Sequence, residues 1–182
     1  MTPLTSPHTH RFVSVDMLTT SYRVVGKMMV SNTGIVGLLN NPNSSFMEIH
    51  DARLARIHMP TKLADHFEVI RLAKERLFVI CLSREEDIGP QALARGGYVK
   101  TAQYPAFVTT QNYELEGNIE WQGRFDFRIL MLEGTRDFIP LYDAKVTGIL
   151  IPTLKIESPV VLFNRKQVDL LGLLNQRKDG EE

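Results

Sequence analysis

The stretch Phe46-Met47-Glu48-Ile49-His50-Asp51-Ala52-Arg53-Leu54-Ala55-Arg56-Ile57-His58-Met59-Pro60 returns without a gap as Phe138-Ile139-Pro140-Leu141-Tyr142-Asp143-Ala144-Lys145-Val146-Thr147-Gly148-Ile149-Leu150-Ile151-Pro152. Phe, Asp-Ala, Ile and Pro coincide, and most other apolar positions stay apolar. Upstream, Tyr22-Arg23-Val24-Val25-Gly26-Lys27-Met28 matches Tyr113-Glu114-Leu115-Glu116-Gly117-Asn118-Ile119, and Thr19-Thr20 matches Thr109-Thr110. Downstream, the run from Val69 to Leu77 lies over the run from Val160 to Val168. Self-similarity on this scale marks an internal duplication, with single-residue slips where bulges or turns gain a position. The expected organisation is a tail (1–16), a first unit (17–84), a linker (85–106), a second unit (107–176) and a short C-terminal tail (177–182).

Each unit reads as mainly β. Tyr113, Leu115, Gly117, Ile119 and Trp121 alternate with Glu114, Glu116, Asn118 and Glu120, the period-two signature of a half-buried strand. Tyr22, Val24, Gly26, Met28 and Val30 do the same in the first unit. A glycine at one point of both strands marks a bend or a close backbone approach. The next block changes period: Ile35, Leu38 and Leu39, like Phe127, Leu130 and Met131, fit a short helix packed on a sheet. Ser31-Asn32-Thr33 offers N-cap residues for the first of these. Two more strands follow in each unit, over 46–59 and 67–82 and over 138–151 and 160–174. Pro60 and Pro152 close the first of each pair, because proline removes a ladder donor. The polar clusters around Lys74-Glu75-Arg76 and Asn164-Arg165-Lys166 read as tight turns, which makes each second stretch a hairpin. A short helix is expected near Pro90 to Gly97, opened by proline and stopped by glycine. The fold class is therefore a mainly β, internally duplicated chain of two small sheets or partial barrels, each with one short helix.

Composition narrows the function. The 182 residues carry 21 Lys plus Arg against 21 Asp plus Glu, so the formal net charge is zero, which disfavours a protein whose task is to neutralise a phosphate backbone. The single cysteine, Cys81, excludes an intramolecular disulfide framework, and its setting in Leu77-Phe78-Val79-Ile80-Cys81-Leu82 predicts a buried, inert thiol. No stretch has the layout of a signal peptide or the length of a membrane span, so a cytoplasmic protein is expected. No Walker loop, dinucleotide fingerprint, nucleophile elbow or zinc-spaced cluster is present, and no cofactor is implied.

Three groups of residues remain as candidates for chemistry. Asp51 and Asp143 hold one position in both units, although aspartate is disfavoured in strands. Brought together by a pseudo-twofold axis they would form an acid/base pair; kept apart, each would brace a bulge or turn through backbone N–H bonds, and the second account is favoured. Lys74, Arg76, Arg165 and Lys166 sit at the predicted turns, where they would bind a small anionic ligand, single-stranded nucleic acid or an acidic surface, or simply meet solvent. His50, His58 and His66 do not make a metal site: His50 and His58 share a strand face but lie about 26 Å apart at the strand rise. Arg23 and Lys27 on one first strand, against Glu114, Glu116 and Glu120 on its counterpart, predict that the two units, or two molecules, mate through opposite charges.

The second unit, with Gly117-x-Ile119, Arg124-Phe125, Leu130, Phe138-x-x-Leu141-x-Asp143-Ala144-x-Val146 and Asn164-Arg165, resembles an uncharacterised bacterial family of tandem β-rich domains of unknown function. That resemblance implies a repeated β fold and transfers no catalytic residue. Val161 to Val168, preceded by Phe138 to Val146, is also similar to the paired motifs of Sm-like RNA-binding barrels, with Lys166 where that family has the glycine after its arginine. The expected function is a non-enzymatic interaction or regulatory module, with itself or another protein as partner. Ligand or single-stranded nucleic-acid binding at the basic turns is the alternative, and an enzyme using Asp51 and Asp143 is third.

Overall fold

A computed structural model describes residues 10–90, 101–134 and 136–174. They form one ten-stranded antiparallel sheet. In the first half β1 (Arg11–Thr19) and β2 (Tyr22–Val30) lead to helix α1 (Gly34–Leu39), followed by β3 (Phe46–Arg56), β4 (Asp65–Ala73) and β5 (Leu77–Leu82). In the second, β6 (Thr101–Thr110) and β7 (Tyr113–Gln122) lead to a π-helical turn (Ile129–Glu133), then β8 (Phe138–Gly148), β9 (Lys155–Asn164) and β10 (Val168–Leu173). The strand order is β10-β6-β7-β8-β9-β5-β1-β2-β3-β4. Each half thus follows the same order, fifth strand, first, second, third, fourth, and β5 joins β9 where the halves meet.

The expected hairpins are absent. Lys74–Arg76 and Arg165–Gln167 are tight 3₁₀ turns, yet β4 pairs with β3 and β5 pairs with β1 and β9. The turn instead joins the two ends of a five-strand group. Laid flat, those ends would stand about 19 Å apart at the usual strand spacing, while three intervening residues reach only about 14 Å. Each half must therefore curl. Local turn chemistry had marked the reversal correctly but does not encode which strands become neighbours.

Two cores result, and β5 and β9 belong to both. Ile80 and Leu82 share one core with Val160 and Leu162, while Val79 and Cys81 share the other with Val161 and Phe163. Burial on both faces is why Leu77 to Leu82 is an unbroken apolar run rather than an alternating one. Cys81 is buried, as expected, and loss of solvent pushes its thiol up.

The recurrent glycines and aspartates are explained by one bulge per half. His50 pairs with Lys27 and Arg53 with Val25, so Asp51 and Ala52 lie opposite Gly26 alone. Tyr142 with Asn118 and Lys145 with Glu116 leave Asp143 and Ala144 opposite Gly117 in the same way. Asp51 and Asp143 have φ of 50° and 47°, the two positive values among described residues other than glycine. Aspartate tolerates this left-handed conformation, and a bulge supplies the need for it. A Cβ on Gly26 would come within 2.5 Å of Ile49 Cγ2, and one on Gly117 within 2.7 Å of Leu141 Cγ.

Several expected boundaries move. Arg11 to Asp16 belong to β1 and not to the tail, and Thr101 to Ala106 to β6 and not to the linker. The short helix expected over 90–97 falls almost wholly outside the described residues, as do 1–9 and 177–182. Thr19 matches Thr110, not Thr109: each hydroxyl accepts the N–H of the tyrosine that opens the next strand, at 3.0 and 3.1 Å. Thr33 stands at the N-cap of α1 without a side-chain cap bond, whereas Asp126 Oδ1 accepts from Arg128 N and Ile129 N ahead of the π-helical turn. The oppositely charged strands do not meet either. Both β2 and β7 are interior strands of their halves, and Arg23 spends its charge on Asp16 of β1, its guanidinium pKa raised first by that hydrogen bond.

Candidate functional site

The basic turns come first, because the sequence singled them out. Lys74 is buried, and its Nζ donates to Leu38 O and Asn41 O at 2.9 and 3.1 Å. Desolvation lowers its pKa, with Asp137 acting the other way. Arg165 does the matching task in the second half, where its Nη1 donates to Leu130 O at 3.3 Å. In both halves a cation from the 3₁₀ turn thus donates to carbonyls of the preceding helical segment, Leu38 O and Asn41 O in the first and Leu130 O in the second. Lys166 pairs with Asp137 at 2.8 Å and Arg76 with Glu75 at 3.4 Å. Lys74 and Lys166 do line one cavity of about 500 Å³, beside Asn40 and Asn164, but Glu75 and Asp137 line it too. Two cations and two carboxylates leave no cationic excess there.

Asp51 and Asp143 are not brought together. Asp51 sits on β3 and Asp143 on β8, with β2, β1, β5 and β9 between them in the sheet. Asp51 is exposed and meets His66 Nε2 at 2.7 Å and Lys27 Nζ at 3.6 Å. The His66 hydrogen bond, and then Lys27, hold its carboxyl below the ordinary range. The partner is thus a side chain across the strand pair, in place of the expected backbone N–H groups. Asp143 borders a shallow depression with Lys145, Glu157 and Ser158. His58 lies in the turn after β3, so it does not share a strand with His50. Among the described residues no group of three or more His, Cys, Asp or Glu is arranged to hold a metal, and no helix is long and apolar enough to cross a membrane.

The joint between the halves is built in detail. Asn40, just past α1, accepts from Asp137 N and Phe138 N at 2.8 and 3.0 Å, tying the first half to the start of β8. Asn164 donates to Leu77 O at 3.0 Å and Ser158 to Leu82 O at 2.6 Å. Between them run the ladder pairs Val79 with Phe163, Ile80 with Leu162, Cys81 with Val161 and Leu82 with Val160.

What the sequence did not single out lies at the two ends of the sheet. Phe138 opens β8 and is 2% exposed, whereas Phe46, which opens β3, is 57% exposed. Val160 faces Tyr142 across β8 and β9 and is fully buried; Val69 faces His50 across β3 and β4 and is 42% exposed. Val79 follows the register shift in β5 and is fully buried; Leu170 follows the same shift in β10 and is 52% exposed. In each pair the residue at the joint is covered and its counterpart at an open edge is not. Among the described residues, β4 and β10 also leave one row of main-chain N–H and C=O groups without a neighbouring strand. The one signal in the sequence was Leu170-Leu171-Gly172-Leu173-Leu174, a run nearly as apolar as that of the central strand β5.

No family model, curated protein or solved structure matches this chain.

Proposed function

We propose that the protein is a non-enzymatic interaction module, working in the cytoplasm, that self-associates through the open edges of its sheet. Reading the halves as two copies of one unit, the observation that carries this is the exposure of Phe46, Val69 and Leu170, whose counterparts Phe138, Val160 and Val79 are buried at the joint. An edge strand that exposes apolar side chains beside unpaired main-chain groups is a template for another strand, and soluble proteins ordinarily blunt such edges. The ligand reading has less support, because Lys74 and Arg165 are engaged with carbonyls of their own chain. Sedimentation velocity of the nuclease-treated chain over a range of concentrations tests the proposal. A mass that rises above the monomer with concentration is expected; a monomer throughout overturns it.

A further inference from the structure

We infer that a second copy of this chain docks head to tail, with β10 of one molecule adding to β4 of the next in the register that β5 and β9 use within the molecule. This rests on the self-association proposed above and fixes its geometry.

The template is on the inside of the protein. A fifth strand, β5, already pairs with a fourth strand, β9, and the pairing buries side chains from both halves in both cores. Among the described residues, the strands left open are the other fifth strand and the other fourth strand. They are the same two surfaces, separated, and a contact between different surfaces of identical molecules is heterologous. The register transfers residue by residue. Val79 with Phe163 and Cys81 with Val161 become Leu170 with Leu72 and Gly172 with Ile70 across the molecular boundary. Strand addition then supplies the main-chain bonds, and Phe46 and Val69 of the incoming molecule cover the second core of its neighbour as Phe138 and Val160 cover the first. Pairing of β4 with β4, or β10 with β10, has no counterpart in the fold.

The outer joint differs from the inner one at several places that weaken it: Ala73 and Phe67 stand where Asn164 and Ser158 hydrogen-bond to Leu77 O and Leu82 O. Arg71 pairs with Glu48 where Leu162 pairs with Pro140, and Asp169 stands where β5 has Phe78. Charges at these positions shed water on docking, so the outer joint is reversible while the inner one is permanent.

Two edge-blocked variants decide the geometry. Val69→Lys blocks β4, with Phe46→Lys as a second block on that side, and Leu170→Lys blocks β10, with Leu170→Glu as its alternative. All are exposed positions, and circular dichroism and thermal melting check the folds. Each variant alone is expected to be monomeric at concentrations where the wild type assembles. An equimolar mixture of a β4 block with a β10 block is expected to give a heterodimer and nothing larger, because one live edge remains on each partner. Assembly that survives either block alone, or a mixture that stays monomeric, overturns the head-to-tail order while self-association stands. A wild-type chain that is itself monomeric overturns both.

Discussion

Phe46 and Phe138 open equivalent strands of the two halves, and one of them lies in solvent while the other is buried against the neighbouring half. The side chains are identical, so the difference comes from position in the sheet alone. Burying a phenylalanine stabilises by roughly 2 kcal/mol, and Phe46 forgoes that gain within a single molecule. On this account the gain is recovered when a second molecule covers the edge.

The bulges set the first prediction. A methyl group on Gly117 would meet Leu141 Cγ at 2.7 Å and Tyr142 O at 2.8 Å, so Gly117→Ala should destabilise by about 1–3 kcal/mol in urea unfolding. Asp143→Gly should be neutral or mildly stabilising, because glycine accepts φ of 47° without strain, whereas Asp143→Val should cost at least about 1 kcal/mol. A large loss on Asp143→Gly would show that the carboxylate and not the backbone shape is needed.

Lys74 should behave as a buried hydrogen-bond donor. Lys74→Met orphans Leu38 O and Asn41 O and is expected to lower stability by about 1–3 kcal/mol. Lys74→Arg should restore most of this, since Arg165 serves the matching carbonyl in the other half. Chemical denaturation of the two variants measures the difference.

The coupling of the halves depends on Asn40. Removing its side chain leaves the N–H groups of Asp137 and Phe138 without their acceptor, and Asn40→Ala should cost about 2 kcal/mol. Amide exchange should show the loss concentrated at the start of β8 and along β5 and β9. Loss spread evenly over the chain would contradict a role at the joint.

Asp51 gives a pH dependence with a definite sign. Its folded-state pKa is depressed, chiefly by the His66 hydrogen bond, so its contribution is present above the unfolded carboxylate value near about 4 and fades as pH falls through the lower folded value. The group is exposed, so the effect is small and screened by salt. Thermal melting of wild type and Asp51→Asn should differ slightly at pH 6, with the wild type higher, and converge in acid. Curves that stay parallel down to the lowest pH would remove Asp51 from the account.

Much of this architecture is visible in the sequence before folding. Alternation from Tyr113 to Trp121 located a strand, and the paired glycines and aspartates located the bulges, because both are local backbone demands. The unbroken apolar run from Leu77 to Leu82 marked Cys81 as buried, as it is. Neighbours were not legible. The turn at Lys74–Arg76 looks like a hairpin because nothing within it records that β5 will pair with β1 and β9. The signs of Arg23 and Glu114 were plain, but not that Arg23 would find Asp16 on the adjacent strand. The edges were hidden for a related reason: Phe46 and Phe138 are the same letter, and only the sheet order decides which one is left open.

Cysteines placed at Leu72 and Leu170 test the central claim most directly, since paired strand positions bring Cα atoms within the span a disulfide needs. The native thiol, Cys81, is buried and does not compete. On mild oxidation, the double variant Leu72→Cys/Leu170→Cys should form a covalent ladder of multimers, and a mixture of the two single variants should stop at the dimer joining Leu72→Cys to Leu170→Cys. Covalent dimers from Leu72→Cys or Leu170→Cys alone, or no covalent multimers from a double variant that still assembles, would contradict head-to-tail docking.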